Sequence, residues 1–489
     1  MKNKALRICA IVFAVYLALG ALFYWVAGDS LHFTAVSTDT VASKASLGEI
    51  TQGEVISQAF LCEYDTLESL TLTVGTMART NTDVIVAELL NENGELLRRL
   101  ELDTSTMKDN TDYTIAFSPA IEDAEDRYFT LRLTSLRGTL RNSVTFYYGN
   151  SVSTGRVDVP VEINDTEALY FNGVRMTDEE GNPCCLCLRV SGINKHAFGA
   201  YYWWIYAGGA LLLILMLLRV LYCHRKGKKS LILAVVNSLI KYSFLIRQLV
   251  ARDFKTKYKR SVLGMLWSFL NPLLTMSIQY VVFSTLFKSS IDNFVIYLLS
   301  GIVCFNFFNE ATGMCLVSII GNATLINKVY VPKYIYPFSR TLSSSINLLL
   351  SLVPLLLMLL ITRTPITPAI LLLPFVLLML FLLSYGVGLI LATMMVFFRD
   401  TQFLWGIFSM LLMYLTPVFY PETIIPDRFI TVYKLNPLYH VLRFIRSILI
   451  DGVSLEPKAY LYCMLLCLIP FAIGVLVFRK NQDKFVLNI

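Results

Sequence analysis

Eight stretches of this chain are nearly free of charge and long enough to cross a bilayer. They are Ile8–Ala27, Tyr201–Tyr222, Val262–Phe287, Phe294–Glu310, Thr341–Ile361, Ala369–Phe398, Gln402–Tyr420 and Tyr460–Phe478. Pro272, Pro354 and Pro374 interrupt three of them, which is tolerated where neighbouring helices re-satisfy the backbone. Met1–Arg7 carries Lys2, Lys4 and Arg7 ahead of 20 uncharged residues. That run is long for a signal peptide and no small-residue cleavage site precedes Asp29, so it reads as an uncleaved anchor. The second span opens on Tyr201, Tyr202, Trp203 and Trp204, an aromatic belt, and runs into the basic cluster His224–Lys229.

Between the first two spans the period changes from helix to strand. Leu67–Val74, Tyr113–Phe117, Tyr128–Leu136 and Ser143–Tyr148 alternate apolar and polar residues. Asp83–Leu90 and Glu95–Asp103 flank a hairpin turn at Asn91–Gly94. Short strands with turns between them predict a β-sandwich. Its acids, such as Asp103, Asp109, Glu122 and Asp126, converge on no catalytic set and read as a solvated surface. A sugar-binding module is an expectation by fold analogy alone. The predicted fold class is therefore a polytopic α-helical membrane protein of about eight transmembrane helices, with an extracytoplasmic all-β, sandwich-like domain between the first two. The expected domains are an anchor at 1–28, the β-domain at 29–199, the second span with its basic anchor at 200–229, and a six-span permease at 230–489.

Composition agrees with that division. The 489 residues are 55% hydrophobic with mean hydropathy +0.59, which excludes an ordinary soluble enzyme. The net charge of +7 conceals an asymmetry: residues 29–199 sum to −13 and the remainder to +20. An acidic block between basic flanks fits a translocated domain under the positive-inside rule, not a nucleic-acid binder. Both termini then face the cytoplasm. Cys62, Cys184, Cys185 and Cys187 fall in the acidic block, where disulfides would be permitted. Cys184-Cys185-Leu186-Cys187 matches no standard zinc spacing, so no metal is expected.

Three polar segments are candidates for function. Asn322–Arg340 is basic, without an acid, broken by Pro332 and Pro337, and short enough to be a cytoplasmic loop. It is either a connector that snorkels into headgroups or a docking element for a soluble partner. Residues 223–260 hold 11 Lys/Arg against Asp253 alone, and Leu231–Arg260 reads as an in-plane interfacial helix. Leu245, Leu249 and Phe254 would face apolar surroundings. Pro421–Pro457 is too polar to span; there His440, Arg443 and Arg446 share one helical face, and Val441, Leu442, Ile445 and Leu449 take the other. Such a helix would lie on the interface or re-enter the membrane beside a path for anionic cargo.

No complete phosphate-binding loop exists: Gly227-Lys-Lys-Ser230 copies the end of one, but Tyr222 stands where its first glycine belongs. From about residue 235 onward, Leu249–Pro272, Leu325–Pro337, Phe397–Asp400, Thr416–Tyr420 and Leu435–Pro437, with Arg443 and Arg446 behind it, follow in an order that resembles the membrane subunit of ABC-2-type exporters of O-antigen, teichoic acid or capsular polysaccharide. About half the chain takes part. The anchored β-domain in front departs from the family pattern.

The resemblance implies a multi-pass plasma-membrane transport subunit that is not itself an enzyme and binds no cofactor. Its partners would be a second copy of this chain, two copies of a separate ATPase using ATP and Mg, and a polyprenyl-pyrophosphate-linked glycan in the lipid bilayer. Lys328, Tyr330, Lys333 and Tyr334 are then candidates for coupling to the ATPase. Arg252, Lys255, Lys257, Lys259 and Arg260 are candidates for the pyrophosphate. Aromatic faces let a sugar chain slide, which makes Trp267, Phe269, Tyr280, Phe305, Tyr414, Phe419 and Tyr420 candidates for the conduit, with a gate at Thr416–Pro421 that includes Pro417, and with His440, Arg443 and Arg446 as further candidates along the path. An exporter of a drug or small lipid is the alternative within transport. A membrane glycosyltransferase or polymerase is the alternative outside it, and would need a pair of acids that the permease half does not display.

Overall fold

The computed structural model of the chain describes residues 2–42, 45–153, 158–160, 163–178, 180–225, 238, 240–258, 264, 266–287, 293–329, 331–420, 422, 425 and 427–488. The chain divides into two compact units, one of Met1–Leu31 with Phe198–Ile489 and one of His32–Ala197.

The first unit is helical. Its elements are α1 (Lys2–His32), α2 (Phe198–Arg225), α3 (Ser243–Tyr258), α4 (Leu266–Phe287), α5 (Phe294–Leu316), α6 (Ala323–Lys328), α7 (Ile335–Ile361), α8 (Leu373–Phe397), α9 (Thr401–Leu415), α10 (Asp427–Lys434), α11 (Pro437–Arg446), α12 (Pro457–Asn481) and α13 (Phe485–Asn488). Among the described residues six helical stretches are long and apolar enough to cross a membrane, within α1, α2, α5, α7, α8 with its leading turn, and α12 onward. Two of the eight expected spans appear instead as shorter apolar stretches, Phe269–Phe283 and Thr401–Leu415. The expected span Gln402–Tyr420 stops early for a local reason. Thr416 is extended (φ −104°, ψ 130°) ahead of Pro417, as the residue before a proline prefers to be. Pro374 does not interrupt a span either; it stands in the first turn of α8, where its missing N–H costs nothing.

The helices pack closely. At the crossing of α8 and α12 a side chain on Gly474 would meet the Gly386 carbonyl oxygen at 2.2 Å, and one on Gly386 would meet the Phe471 Cα at 2.3 Å. The two backbones touch because neither position carries a side chain. The α1–α2 pair is zipped by tyrosines: Tyr16 stacks on Tyr206 at 5.1 Å, and the hydroxyl of Tyr202 donates to the Gly20 carbonyl at 2.7 Å. Phe23 of α1 meets Tyr460 of α12 edge-on at 5.1 Å. Of the expected aromatic belt, Tyr202 turns inward while Tyr201, Trp203 and Trp204 are exposed.

The second unit is all antiparallel β. One sheet runs β1 (Phe33–Asp39), β15 (Leu188–Lys195), β4 (Thr66–Gly75), β9 (Thr145–Gly149), β14 (Cys185–Leu186), with β2 (Ala45–Ser46) on β9 and β7 (Thr111–Glu122) on β4. The other runs β13 (Val174–Arg175), β12 (Leu169–Phe171), β3 (Val55–Cys62), β8 (Arg127–Ser135), β5 (Val84–Leu90), β6 (Leu96–Asp103). A separate ribbon pairs β10 (Ser151–Ser153) with β11 (Asp158–Pro160). Alternation works as the sequence indicates: β3 buries Ile56, Gln58, Phe60 and Cys62 and half-exposes the residues between. Ile56, Phe60, Leu131 and Leu133 from one sheet share a core with Leu70, Leu72, Phe146 and Val190 from the other. All six strands expected from periodicity are present, and the β5–β6 hairpin turns at Asn91, whose side-chain oxygen accepts from the N–H of Asn93 and Glu95. Periodicity did not reveal β1, β3 or β15. Cys62, Cys184, Cys185 and Cys187 are buried, Cys62, Cys185 and Cys187 carry free thiols, and burial pushes the Cys185 and Cys187 thiols up to about 12.

Candidate functional site

Two polar constellations stand at opposite ends of the helical unit. The first is built on α3. Its Ile246, Leu249 and Val250 are buried against Ile319, Val331, Ile335 and Tyr336, so protein rather than lipid headgroups covers its apolar face. Of the stretch Leu231–Arg260 expected as an in-plane interfacial helix, residues 231–237, 239, 259 and 260 lie outside the described residues; in the rest, hydrophobic periodicity shows that a face is covered, and part of that cover is protein. One turn on, Asp253 enters the same contact with its side chain 3% exposed. Its Oδ1 accepts from Arg252 Nη2 at 3.0 Å and lies 2.9 Å from Arg340 Nη1 of α7. Arg252 Nη1 also donates to Asn322 Oδ1 at 3.2 Å. Further along, Lys257 Nζ lies 2.7 Å from Glu310 Oε1 of α5, which also accepts from Asn347 Nδ2 of α7 at 2.7 Å. A buried charge is costly unless paired, and here each acid is held by groups from two other positions. Two polar clamps thus fix α3 to α5 and α7.

This bears on the five expected pyrophosphate ligands. Arg252 and Lys257 are engaged within the chain, Lys255 is exposed, and Lys259 and Arg260 lie outside the described residues. Asp253, Glu310, Arg340, Asn322 and Asn347 were not singled out as site residues. The signal for two of them was present: Asp253 is the lone acid in a basic run, and Glu310 is an acid at the end of an apolar span.

The loop Asn322–Arg340 folds as α6, an extended turn and the start of α7. Val331, Ile335 and Tyr336 are buried. Lys333 Nζ donates to the Gln482 carbonyl at 2.5 Å and sits 5.9 Å from the Phe485 ring centroid. Phe485 itself is fully buried against Phe478 and Phe397. Tyr334 is half-buried and its carbonyl accepts from Tyr385 at 3.4 Å. Lys328 and Val329 are the exposed tip; Tyr330 lies outside the described residues. The three described coupling candidates therefore separate into an outward-facing Lys328 and an inward-tied Lys333 and Tyr334.

The second constellation closes the other end. Helix α11 was expected to be two-faced, with His440, Arg443 and Arg446 together. It is instead buried on nearly every side, packed among α5, α8 and α12, and only Arg443 points out. The sequence pattern divides polar from apolar residues, but contacts from three helices leave only one polar position at the surface. His440 Nε2 bonds the Lys434 carbonyl at 2.7 Å. Arg446 covers the Tyr297 ring at 3.4 Å, and its Nη2 donates to the Val418 carbonyl at 3.1 Å and to the Tyr297 carbonyl at 3.4 Å. The Tyr297 hydroxyl donates to the Tyr420 carbonyl at 2.8 Å, and the Tyr420 hydroxyl to the Tyr414 carbonyl at 2.6 Å. Tyr439 donates to Glu422 at 2.9 Å.

Among the conduit candidates, Phe305, Pro417 and Phe419 are buried, Phe419 stacking on Phe283 at 5.4 Å. Phe269 and Tyr420 are half-buried, and Trp267, Tyr280 and Tyr414 are exposed. The structure brings Tyr420 and Arg446 together at Tyr297, with Val418 bonded to Arg446.

Residues 245–450 match the family described as ABC-2 type transporter. The chain is 28% identical over 236 residues to the O-antigen export system permease protein RfbA of Klebsiella pneumoniae, covering 48% of this chain and 90% of that one. It is 29% identical over 261 residues to RfbA of Myxococcus xanthus, covering 52% and 99%. With the polysialic acid transport protein KpsM of Escherichia coli it shares 26% identity over 253 residues, covering 49% and 95%.

Proposed function

Because the membrane half of this multi-pass chain is an ABC-2 type transporter permease, related to the O-antigen and polysialic acid permeases, we propose that it forms the membrane path of an ATP-driven exporter of a lipid-linked cell-surface polysaccharide. ABC-2 permeases lack an ATPase site and pair with an ATPase subunit. The observation that carries the reading is the extent of the family match. It begins at Leu245 on α3 and ends at Ile450, just beyond α11, and so takes in both polar constellations.

In this reading the α3 clamps and the Lys328 tip receive the movement of the ATPase, two copies of which serve a pair of permease chains. The helices carry that movement to the closure around Tyr297 and Arg446, which opens toward the outer side. Lys255, Lys259 and Arg260 remain the basic groups for the pyrophosphate of a polyprenyl-linked glycan. Residues 29–199 stand outside a plasma membrane whose cytoplasmic face holds both termini.

The test is reconstitution. Proteoliposomes holding this chain with its ATPase should move a lipid-linked glycan across the bilayer only when ATP is present. Glycan movement without the ATPase, or ATP-dependent movement of small amphiphiles and none of glycan, would overturn the reading.

A further inference from the structure

The β unit contains a cavity of about 220 Å³ where the edge of one sheet faces β3 of the other. Its walls include Asp39, Gln58, Phe60, Glu63, Tyr64 and Glu167. Two features separate it from a packing defect. The first is Gln58, on β3 and 2% exposed. Its Oε1 accepts from the Leu186 N–H at 2.6 Å, which fixes the amide orientation, while its amide nitrogen has no hydrogen-bond partner among the described residues. That nitrogen is not fully enclosed, and, with Gln58 lining the cavity, it is free to donate to an occupant. The second is the charge of the walls. Three carboxylates line the space and no Lys or Arg does. Of the three, Asp39 is compensated by Arg189, with Nε 2.6 Å from Oδ1 directly across the β1–β15 ladder, and Arg189 is shared with Asp112 at 3.5 Å. Glu63 and Glu167 have no basic partner among the described residues.

We propose that this cavity binds one sugar ring, neutral or amino-substituted, of the exported glycan. Carboxylates and a fixed amide donor suit hydroxyl and ammonium groups. Phe60 and the Tyr64 ring, whose hydroxyl is already bonded to Thr38, supply apolar walls for ring C–H groups. The same walls repel anions, so phosphorylated sugars and uronic acids are refused. The volume lies below the ~300–1,000 Å³ of pockets for drug-sized ligands, which limits occupancy to a single ring. The link to export rests on the function proposed above; sugar binding itself does not.

The experiment is calorimetry on the full chain in nanodiscs, free of glycosidic detergent. The probes are D-glucose, D-galactose, D-mannose and D-glucosamine, against D-glucuronic acid, D-glucose 6-phosphate and calcium chloride. At least one neutral or amino sugar should bind with a Kd on the order of 1 mM, and both anionic sugars should fail. Glu63→Gln, at an exposed position, should weaken binding about tenfold, and Gln58→Leu by at least as much if the chain stays folded by circular dichroism. Binding of the anionic sugars as tightly as the neutral ones, heat from calcium in place of sugar, or no effect of Glu63→Gln would overturn the proposal. So would the absence of binding by every neutral and amino sugar. None of these results bears on glycan flux in proteoliposomes, so the two readings fail separately.

Discussion

Arg446 lies over the ring of Tyr297, its guanidinium carbon 3.4 Å from the ring centroid, and both residues are buried. The pair joins α11 to α5, and the Arg446 bond to Val418 draws in the 416–420 segment. A desolvated cation–π contact contributes about 2 kcal/mol or more. Arg446→Ala should lower unfolding stability in nanodiscs by about that amount and let proteoliposomes leak a small dye without ATP. Arg446→Lys should restore charge but not the planar contact, and leak as well. A tight Arg446→Ala variant would mean that the contact is structural and not part of a closure.

The Asp253 clamp makes a different prediction. Asp253→Asn removes the charge that Arg252 and Arg340 share. With both arginines partly exposed, the cost should be about 1–3 kcal/mol. Amides of α3 should then exchange hydrogen faster while those of the β unit do not change. Adding Arg340→Met should recover part of the loss, since the two changes are coupled.

Lys328 and Lys333 sit five positions apart in one loop and should behave oppositely. Lys328→Glu should leave the thermal midpoint in place and weaken co-purification of the ATPase. Lys333→Glu loses its bond to the Gln482 carbonyl and should cost about 1 kcal/mol of stability. Equal effects of both on ATPase binding would remove the distinction between tip and tether.

In the β unit, Glu49 accepts from the Arg141 N–H at 2.8 Å and pairs with Arg79. These bonds, the Arg141 one foremost, hold its carboxyl below the ordinary 4.5. A depressed folded-state value stabilises above the unfolded value and is lost as pH falls through the folded one. The melting temperature of this unit should therefore drop on acidification below about pH 4.5, and Glu49→Gln should make that drop shallower.

The Cys185 and Cys187 thiols, pushed up to about 12 by burial, are protonated at pH 8. Maleimide should modify neither in the folded chain and both after denaturation, read by mass spectrometry. Labelling of the folded chain at rates near that of a free thiol would show that this part of the unit opens readily.

Much of the architecture was legible in the sequence because a bilayer imposes a length and a polarity on each crossing. Strands with one buried face were legible for the same kind of reason, as at Leu67–Val74. What could not be read is who meets whom. Asp253 and Glu310 are visible as isolated acids, but that they take Arg340 and Lys257 depends on how α3 is laid against α5 and α7. His440 and Arg446 look as surface-bound as Arg443 by spacing; only the packing of three helices around α11 separates them. The early end of α9 was available from the Thr416-Pro417 step, and apolar composition through Tyr420 outweighed it.

The crossing of α8 and α12 runs through Gly386 and Gly474. A side chain at either position would strike the opposing backbone and force the two helices apart, so this crossing depends on both glycines. Other joints of the helical unit are held by polar contacts instead: α3 at Asp253 and Lys257, and α11 at Arg446. The glycine pair thereby makes a joint of bare backbone, which any substitution would break, beside joints that exchangeable polar contacts hold.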